Sequence, residues 1–484
     1  GYTARSLCPR CRLNAVTDSP THAQTHAPTL SQRLAAFARG FECADAPPDL
    51  VALARSWILD AIGIAFASNR FEFAARCAAG LGSLAAPGDH VVIGCPERWG
   101  ARDAALMNGL LIHGLDYDDT HPGSVVHASA SALPAVLAAG RQHGASGARA
   151  LAAYLLAVEA DARIGAHAGG WWQKVGFHPT GVVGVFGAAL AAGYLQDADE
   201  RALADALGLA LSMASGSMEF LDEGSWNKRF HPGWAAASGL TAAALATHGF
   251  QSPSRAFEGR FGLYNTYLGA HAPAAGDPFA DLGERWEART VAVKPYPVCH
   301  FNHACGDAAL ALRAEHGIAP AEVVRIVARV HRNQMPVVCE PAAAKRRPRS
   351  DYDAKFSLPY FVAACLVRGR FGLDELEPAS LGDPEILALC ERVTCEHDGE
   401  SAFPQYFSGH VEIELRDGRR LVRRERVNRG ADVRPLSPAE VERKFFDNAT
   451  RAVSRAQAER VRDAVASLDR APDLAELCGA LGSA

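Results

Sequence analysis

Gly181-Val-Val-Gly-Val-Phe-Gly-Ala-Ala-Leu-Ala-Ala-Gly193 carries no polar side chain, and its only large ones are Phe186 and Leu190. Small side chains let helix axes approach closely, so stretches of this kind predict a compact helical core rather than a coiled coil. The apolar run from Val182 to Leu195 is interrupted by Gly184, Gly187 and Gly193 and falls short of the roughly 20 residues a membrane span needs. On either side of it, apolar residues recur at helical spacing through Leu34, Phe37 and Ala38, Leu50 to Ala67, Ala101 to Gly114, Ala150 to Ile164 and Arg201 to Ala214. Trp234 to His248 continues the pattern until Gly249, a C-cap signal.

The character changes after about Ala274. Thr290-Val-Ala-Val-Lys and Val323 to His331 read as strands, as do Gly409 to Leu415 and Arg420 to Val427, which flank an Asp417-Gly418 hairpin turn. Helical patterns at Ala304 to Glu315, Ser357 to Arg368 and Pro384 to Arg392 lie between them. Ser437-Pro-Ala-Glu440 is a capping box, and the apolar faces that follow it (Val441, Phe445, Phe446; Val461, Val465, Leu468) need a partner. The expected fold is therefore mainly α: a disordered leader (1–28), a larger all-helical domain (29–274), a smaller α+β domain (275–430) and C-terminal helices (431–484) that return to the helical domain.

The 484 residues carry a formal net charge of -5, with 49% apolar and 21% charged residues, an ordinary globular balance. That charge offers no whole-chain attraction for nucleic acid or an anionic membrane, and Lys345-Arg346-Arg347-Pro-Arg349 reads as a solvated loop. The twelve cysteines are scattered, which points to reduced thiols in the cytoplasm. Cys8 and Cys11 form one C-x-x-C pair without a second at zinc-ribbon spacing. Nucleotide-binding glycine loops and the G-x-S-x-G elbow are absent from the sequence.

Four polar clusters interrupt the apolar pattern: His113 to His121 with His127, Gly176 to Gly181 around His178, Asn227 to Gly233 with Lys228 and His231, and Lys294 to His303. Carboxylates and imidazoles act as acid and base, and Lys or Arg holds an anionic substrate. Glycine and proline beside His178, His231 and His300 place them at helix ends and loops, where sites are commonly built.

Leu115-Asp-Tyr-Asp-Asp-Thr120, His127-Ala-Ser, Gly176-Phe-His-Pro-Thr-Gly181, Lys228-Arg-Phe-His-Pro-Gly233, Lys294-Pro-Tyr-Pro297 and Lys355-Phe-Ser-Leu-Pro-Tyr360 occur in this order. Together they resemble the MmgE/PrpD family, which includes 2-methylcitrate dehydratase, cis-aconitate decarboxylase and iminodisuccinate epimerase. The resemblance implies a cleft between the helical domain and an α+β lid, a homodimer, a small carboxylate substrate, and neither cofactor nor metal. It points to Asp116, His127, His178 and Lys228 as catalytic. Thr120, Tyr296, His300, His303 and Tyr360 follow as substrate-binding residues. In these terms His178 or His127 serves as base or acid, Lys228 anchors a carboxylate, and Asp116 orients a histidine.

The expected activity is that of a lyase, a dehydratase taking a 2-methylcitrate-like acid by proton abstraction next to a carboxylate. Epimerisation or decarboxylation of a related acid is the alternative within the family. Outside it stand a metal-dependent hydrolase using Asp116, Asp118, Asp119, His121 and His127, an iron–sulfur dehydratase, and a non-catalytic binding protein.

Overall fold

The computed structural model describes residues 27–482. Almost all of the expected leader, with Cys8 and Cys11, lies outside the described residues. Helix predominates, accompanied by one four-stranded sheet and a short two-stranded ribbon.

Pro179–Leu195 is the central helix, and each of its residues is buried. A helix that is apolar all round has no solvent face, so it must be surrounded. Helices Ala128–Gln142, Gly147–His167 and Asn227–Thr247 do this. The packing is close because glycine stands at the crossings: a Cβ on Gly239 would lie 2.5 Å from the Ala188 Cβ, and the Gly187 amide donates to Asp161 Oδ1 at 2.9 Å.

Asn227–Thr247 begins well before Trp234, where the apolar pattern places its start, and carries Pro232 inside it. Proline has no N–H to donate, which is why the sequence reads as a break there. The consequence is functional, since Lys228 sits in the first turn of a long helix.

Pro48–Ser68 is long and apolar enough to cross a membrane by length and composition. Most of it is buried within the protein. It packs against Pro438–Ala449, and Lys444 Nζ reaches Asp60 at 2.8 Å between the two helices. The Ser437 capping box forms as its sequence predicts, with Glu440 accepting from the Ser437 amide at 2.8 Å.

Val323–Val330 pairs in parallel with Val393–His397 on one side and antiparallel with Gly409–Leu415 on the other, followed by Arg420–Glu425 at the edge. Gly409–Leu415 alternates buried and half-buried residues, as a strand covered on one face should. Helices His303–His316 and Leu358–Arg368 supply the covering layer. The strand expected over Thr290 to Lys294 is reduced to one bridge, Thr120 to Ala292, whose two backbone hydrogen bonds measure 2.9 and 2.8 Å. The basic run is used locally: Lys345 Nζ donates to the Val337 carbonyl, Arg346 to that of Val393, and Arg347 pairs with Glu391.

Gly239→Val is expected to lower stability by about 1–3 kcal/mol through overpacking against Ala188. Denaturant unfolding of the variant beside wild type measures this, and unchanged stability would mean that the crossing is not close.

Candidate active site

Between helices Ala101–His113 and Ala128–Gln142 the chain makes a buried loop in which Asp116 has φ +52°. A non-glycine residue in the left-handed region is held there by its surroundings. Lysines supply that hold. Lys355 Nζ donates to the Leu115 carbonyl at 2.6 Å, Lys294 Nζ to the Asp116 carbonyl at 2.9 Å, and Lys444 Nζ to the Tyr117 carbonyl at 2.9 Å. Lys228 and Lys294 also each reach Asp116 Oδ1 at 2.8 Å. Burial pushes the Asp116 carboxyl up, but the two ammonium groups outweigh it and hold the group well below the ordinary range. Two cations share this one carboxylate, and the Asp118 carboxylate, likewise held well below the ordinary range, lies close by.

Four imidazoles lie beside this group. His113 Nδ1 stands 2.7 Å from Asp118 Oδ2 and His127 Nδ1 stands 2.8 Å from the Asp119 carbonyl. Each acceptor requires an N–H on Nδ1, which leaves Nε2 as the basic nitrogen of the neutral ring. His178 Nδ1 lies 3.1 Å from His231 Nδ1. The ring centroids of His113 and His127 are 4.7 Å apart, those of His113 and His178 5.4 Å. Burial, reinforced by the neighbouring imidazoles and Lys228, lowers His178 well below its ordinary value. His113 falls to about 4, with burial overriding the pull of Asp118. These rings are neutral at pH 7, and Nε2 of His113 and of His178 is buried without a partner among the described residues. His127 and His178 are also the N-cap residues of two long helices, whose dipoles disfavour a charged imidazole there.

The structure thus brings Asp116, His127, His178 and Lys228 together. Asp116, expected to orient a histidine, binds lysines instead, and Asp118 takes the orienting position on His113. Thr120 Oγ1 lies 3.3 Å from His127 Nδ1, while its backbone bridge to Ala292 carries Lys294 into place. The ring centroids of His300 and His303 lie 4.6 Å apart with the planes tilted by 49°, and both imidazoles are depressed by burial and by nearby positive groups, Lys294 among them. Tyr296 reaches the site only by packing edge-on to His303, because its hydroxyl donates to Asp307 at 2.7 Å. Tyr360 is not brought there: its hydroxyl donates to the Glu375 carbonyl at 2.6 Å inside the smaller layer.

Lys294, Lys355, His113, Asp118 and His231 belong to the site as well; the sequence puts all but Lys355 in its polar clusters, and Asp118 in the alternative metal set, without naming any of them among the expected site residues. Charged or imidazole side chains in strongly apolar surroundings are the signal that could find them. A small apolar cluster of Phe220, Tyr352 and Phe356 closes the other side, with the Phe356 ring 5.6 Å from Lys228 Nζ.

The five-residue metal set expected for hydrolysis does not assemble. Asp119 faces Ser129, and His121 faces Ser124 and Glu287. Side-chain atoms of His113, His127 and His178, and those of Asp116, Asp118 and His127, do come within 4.8 Å of one another. Asp118, however, is engaged by His113, and Asp116 is already matched by two ammonium groups, which oppose a dication.

Two family models match this chain, the MmgE/PrpD N-terminal domain over residues 32–275 and the MmgE/PrpD C-terminal domain over 296–470. The chain belongs to the MmgE/PrpD family. Among curated relatives, a cis-aconitate decarboxylase of Aspergillus terreus is 28% identical over 458 residues, covering 90% of this chain and 92% of that protein. The human cis-aconitate decarboxylase is 28% identical over 401 residues, covering 78% and 80% respectively. A cis-aconitate decarboxylase-like protein of Aspergillus oryzae is 26% identical over 451 residues, covering 90% and 93%. Membership of the MmgE/PrpD family thus extends over both the helical part and the sheet-bearing part of the chain.

His178→Asn and Lys228→Met are each expected to lower kcat/KM by roughly a hundredfold, the usual effect of removing an acid–base or charge-stabilising group. Steady-state kinetics on variants with wild-type circular dichroism measure it, and near-normal turnover in both would remove the site.

Proposed function

We propose that this MmgE/PrpD member is a lyase that moves a proton on carbon next to a carboxylate of a small polycarboxylic acid. The observation that carries the reading is the juxtaposition of two buried, unpartnered imidazole nitrogens with two lysines sharing one carboxylate. Charge developing beside a carboxylate needs fixed cations, and the proton needs a neutral base or its conjugate acid. Lys228 and Lys294 fit the first need. His113, His127 and His178 fit the second: a lowered pKa keeps them neutral, and the negative charge of an entering substrate raises their affinity for a proton.

Two overall reactions use this arrangement. In decarboxylation the bond to the departing carboxylate breaks and carbon dioxide leaves. The electron pair passes toward a remaining carboxylate, and a proton that an imidazole has taken up from water as the substrate's carboxylates bind then completes a new C–H bond. In dehydration an imidazole takes the proton next to a carboxylate, and the electron pair expels hydroxide, which leaves as water with a proton from the protein. The sequence motifs by themselves put dehydration first. The relatives' names favour decarboxylation, so we place cis-aconitate ahead of 2-methylcitrate as substrate. The scattered thiols support a cytoplasmic location.

Incubation with cis-aconitate in heavy water is expected to give a product carrying carbon-bound deuterium, with release of one carbon dioxide per turnover. Loss of water from 2-methylcitrate without carbon dioxide would favour the second reaction. A confirmed substrate hydrolysed with no carbon-bound exchange in either direction would sink both.

We also propose a homodimer, supported by an uncovered apolar face on Asn227–Thr247: Phe230 and Trp234 stack 5.8 Å apart, and Phe230, Trp234 and Leu245 are all exposed. Light scattering should give twice 51.3 kDa for the protein, and half that for Trp234→Asp. A monomeric wild type would refute the assembly.

A further inference from the structure

Leu115, Asp116 and Tyr117 present three successive carbonyls, and each accepts from a buried lysine that arrives from a different region of the chain. Two of these lysines have a second task. Lys294 also pairs with the Asp116 carboxylate, and Lys444 pairs with Asp60. Lys355 differs: among the described residues, the hydrogen-bond partner of its Nζ is the Leu115 carbonyl.

We propose that Lys355 is a positioning residue for the reaction: its bond to the Leu115 carbonyl holds the left-handed turn that aims Asp116 at Lys228 and Lys294. A turn of this kind is strained and persists only where neighbours over-determine it. Lys355 is also fastened to the other half of the site. Its own carbonyl accepts from the Cys299 amide at 2.9 Å and from Asn302 Nδ2 at 3.1 Å, just before and within the segment that carries His300 and His303. One residue therefore links the imidazoles of the sheet-bearing part to the carboxylate of the helical part.

The charged groups around Lys355 Nζ are Asp351 of its own segment, Arg229 of Asn227–Thr247, Asp116 of the loop and Lys294 beside the Thr120–Ala292 bridge. Burial, only partly opposed by Asp351, brings its ammonium down to about 7. The protonated amine makes a charge-assisted hydrogen bond, roughly twice as strong as the neutral one. As pH rises through 7 the grip on Leu115 weakens, and turnover should decline on the alkaline side.

The kinetic part of this inference rests on the lyase reading, so the test includes an arm that does not. Lys355→Met and Lys355→Arg are compared with wild type in kcat, KM, pH profile and amide hydrogen exchange over Leu115 to Tyr117. Lys355→Met is expected to lose roughly tenfold to a hundredfold in kcat, with KM within about twofold, as expected when a reacting group is misplaced while substrate binding is kept. Lys355→Arg, charged throughout, should restore most of kcat and shift the alkaline decline upward. Exchange of the Leu115 to Tyr117 amides should quicken in Lys355→Met and stay slow in Lys355→Arg. Wild-type kcat in Lys355→Met, or an alkaline decline unmoved in Lys355→Arg, overturns the proposal. Should Lys355→Met fail to fold, the Lys355→Arg pH profile decides. Equal exchange in wild type and a folded Lys355→Met overturns the proposal even if no substrate is found, whereas a missing turnover in wild type alone counts only against the lyase reading.

Discussion

A buried carboxylate shared between two buried ammonium groups is the interaction on which the site depends. Removing an ion from water costs several kcal/mol, and breaking a buried pair by deleting one partner costs about 3–5 kcal/mol. Asp116, Lys228 and Lys294 therefore tolerate burial only together, with Asp116 also bound through its carbonyl to Lys294. Because Lys228 comes from Asn227–Thr247, Lys294 from beside the Thr120–Ala292 bridge, Lys355 from the sheet-bearing part and Lys444 from Pro438–Ala449, the loop around Asp116 is complete only when all four regions have folded. Assembly of this cluster and the packing of Pro438–Ala449 on Pro48–Ser68 are the same structural event.

Much of the helical part is legible in the sequence because it follows from periodicity and small residues. The apolar run within Pro179–Leu195 and its glycines are local facts, readable without tertiary context. The Ser437 capping box is another, since its partners lie three residues apart. Elements set by distant partners are not legible in this way. Val393–His397 forms because Val323–Val330 offers it a parallel edge, and its own short, mixed sequence carries no strand signal. Thr290 to Lys294 has the composition of a strand but meets only Thr120, so it makes one bridge.

The site divides in the same way. His127, His178 and Lys228 stand out because charged and imidazole side chains amid glycine, proline and apolar helix need a reason. Which group each one meets is not written in the local sequence. Asp116 and Asp118 are two residues apart, yet the left-handed turn at Asp116 sends one carboxylate to lysines and the other to His113. Tyr360 shares a conspicuous motif with Lys355, but the helix they precede or enter turns them differently: Lys355 points at Leu115, and Tyr360 at Glu375.

The field at the cluster has a second source besides the lysines. His127 caps Ala128–Gln142, His178 caps Pro179–Leu195, and Lys228 lies in the first turn of Asn227–Thr247, so the positive ends of three long helices converge. Such ends attract carboxylates and at the same time disfavour a charged imidazole, as does burial. A field that favours an anionic ligand therefore also keeps these imidazoles unprotonated. A substrate bearing several carboxylates reverses part of that balance when it enters, because its negative charge raises the imidazoles' affinity for a proton. In the proposed reaction, proton transfer to His113 or His178 is then most favourable when the substrate is in place. The choice in that reaction between losing water and losing carbon dioxide rests on which bond stands in line with that imidazole, a matter of pocket shape rather than of the charges.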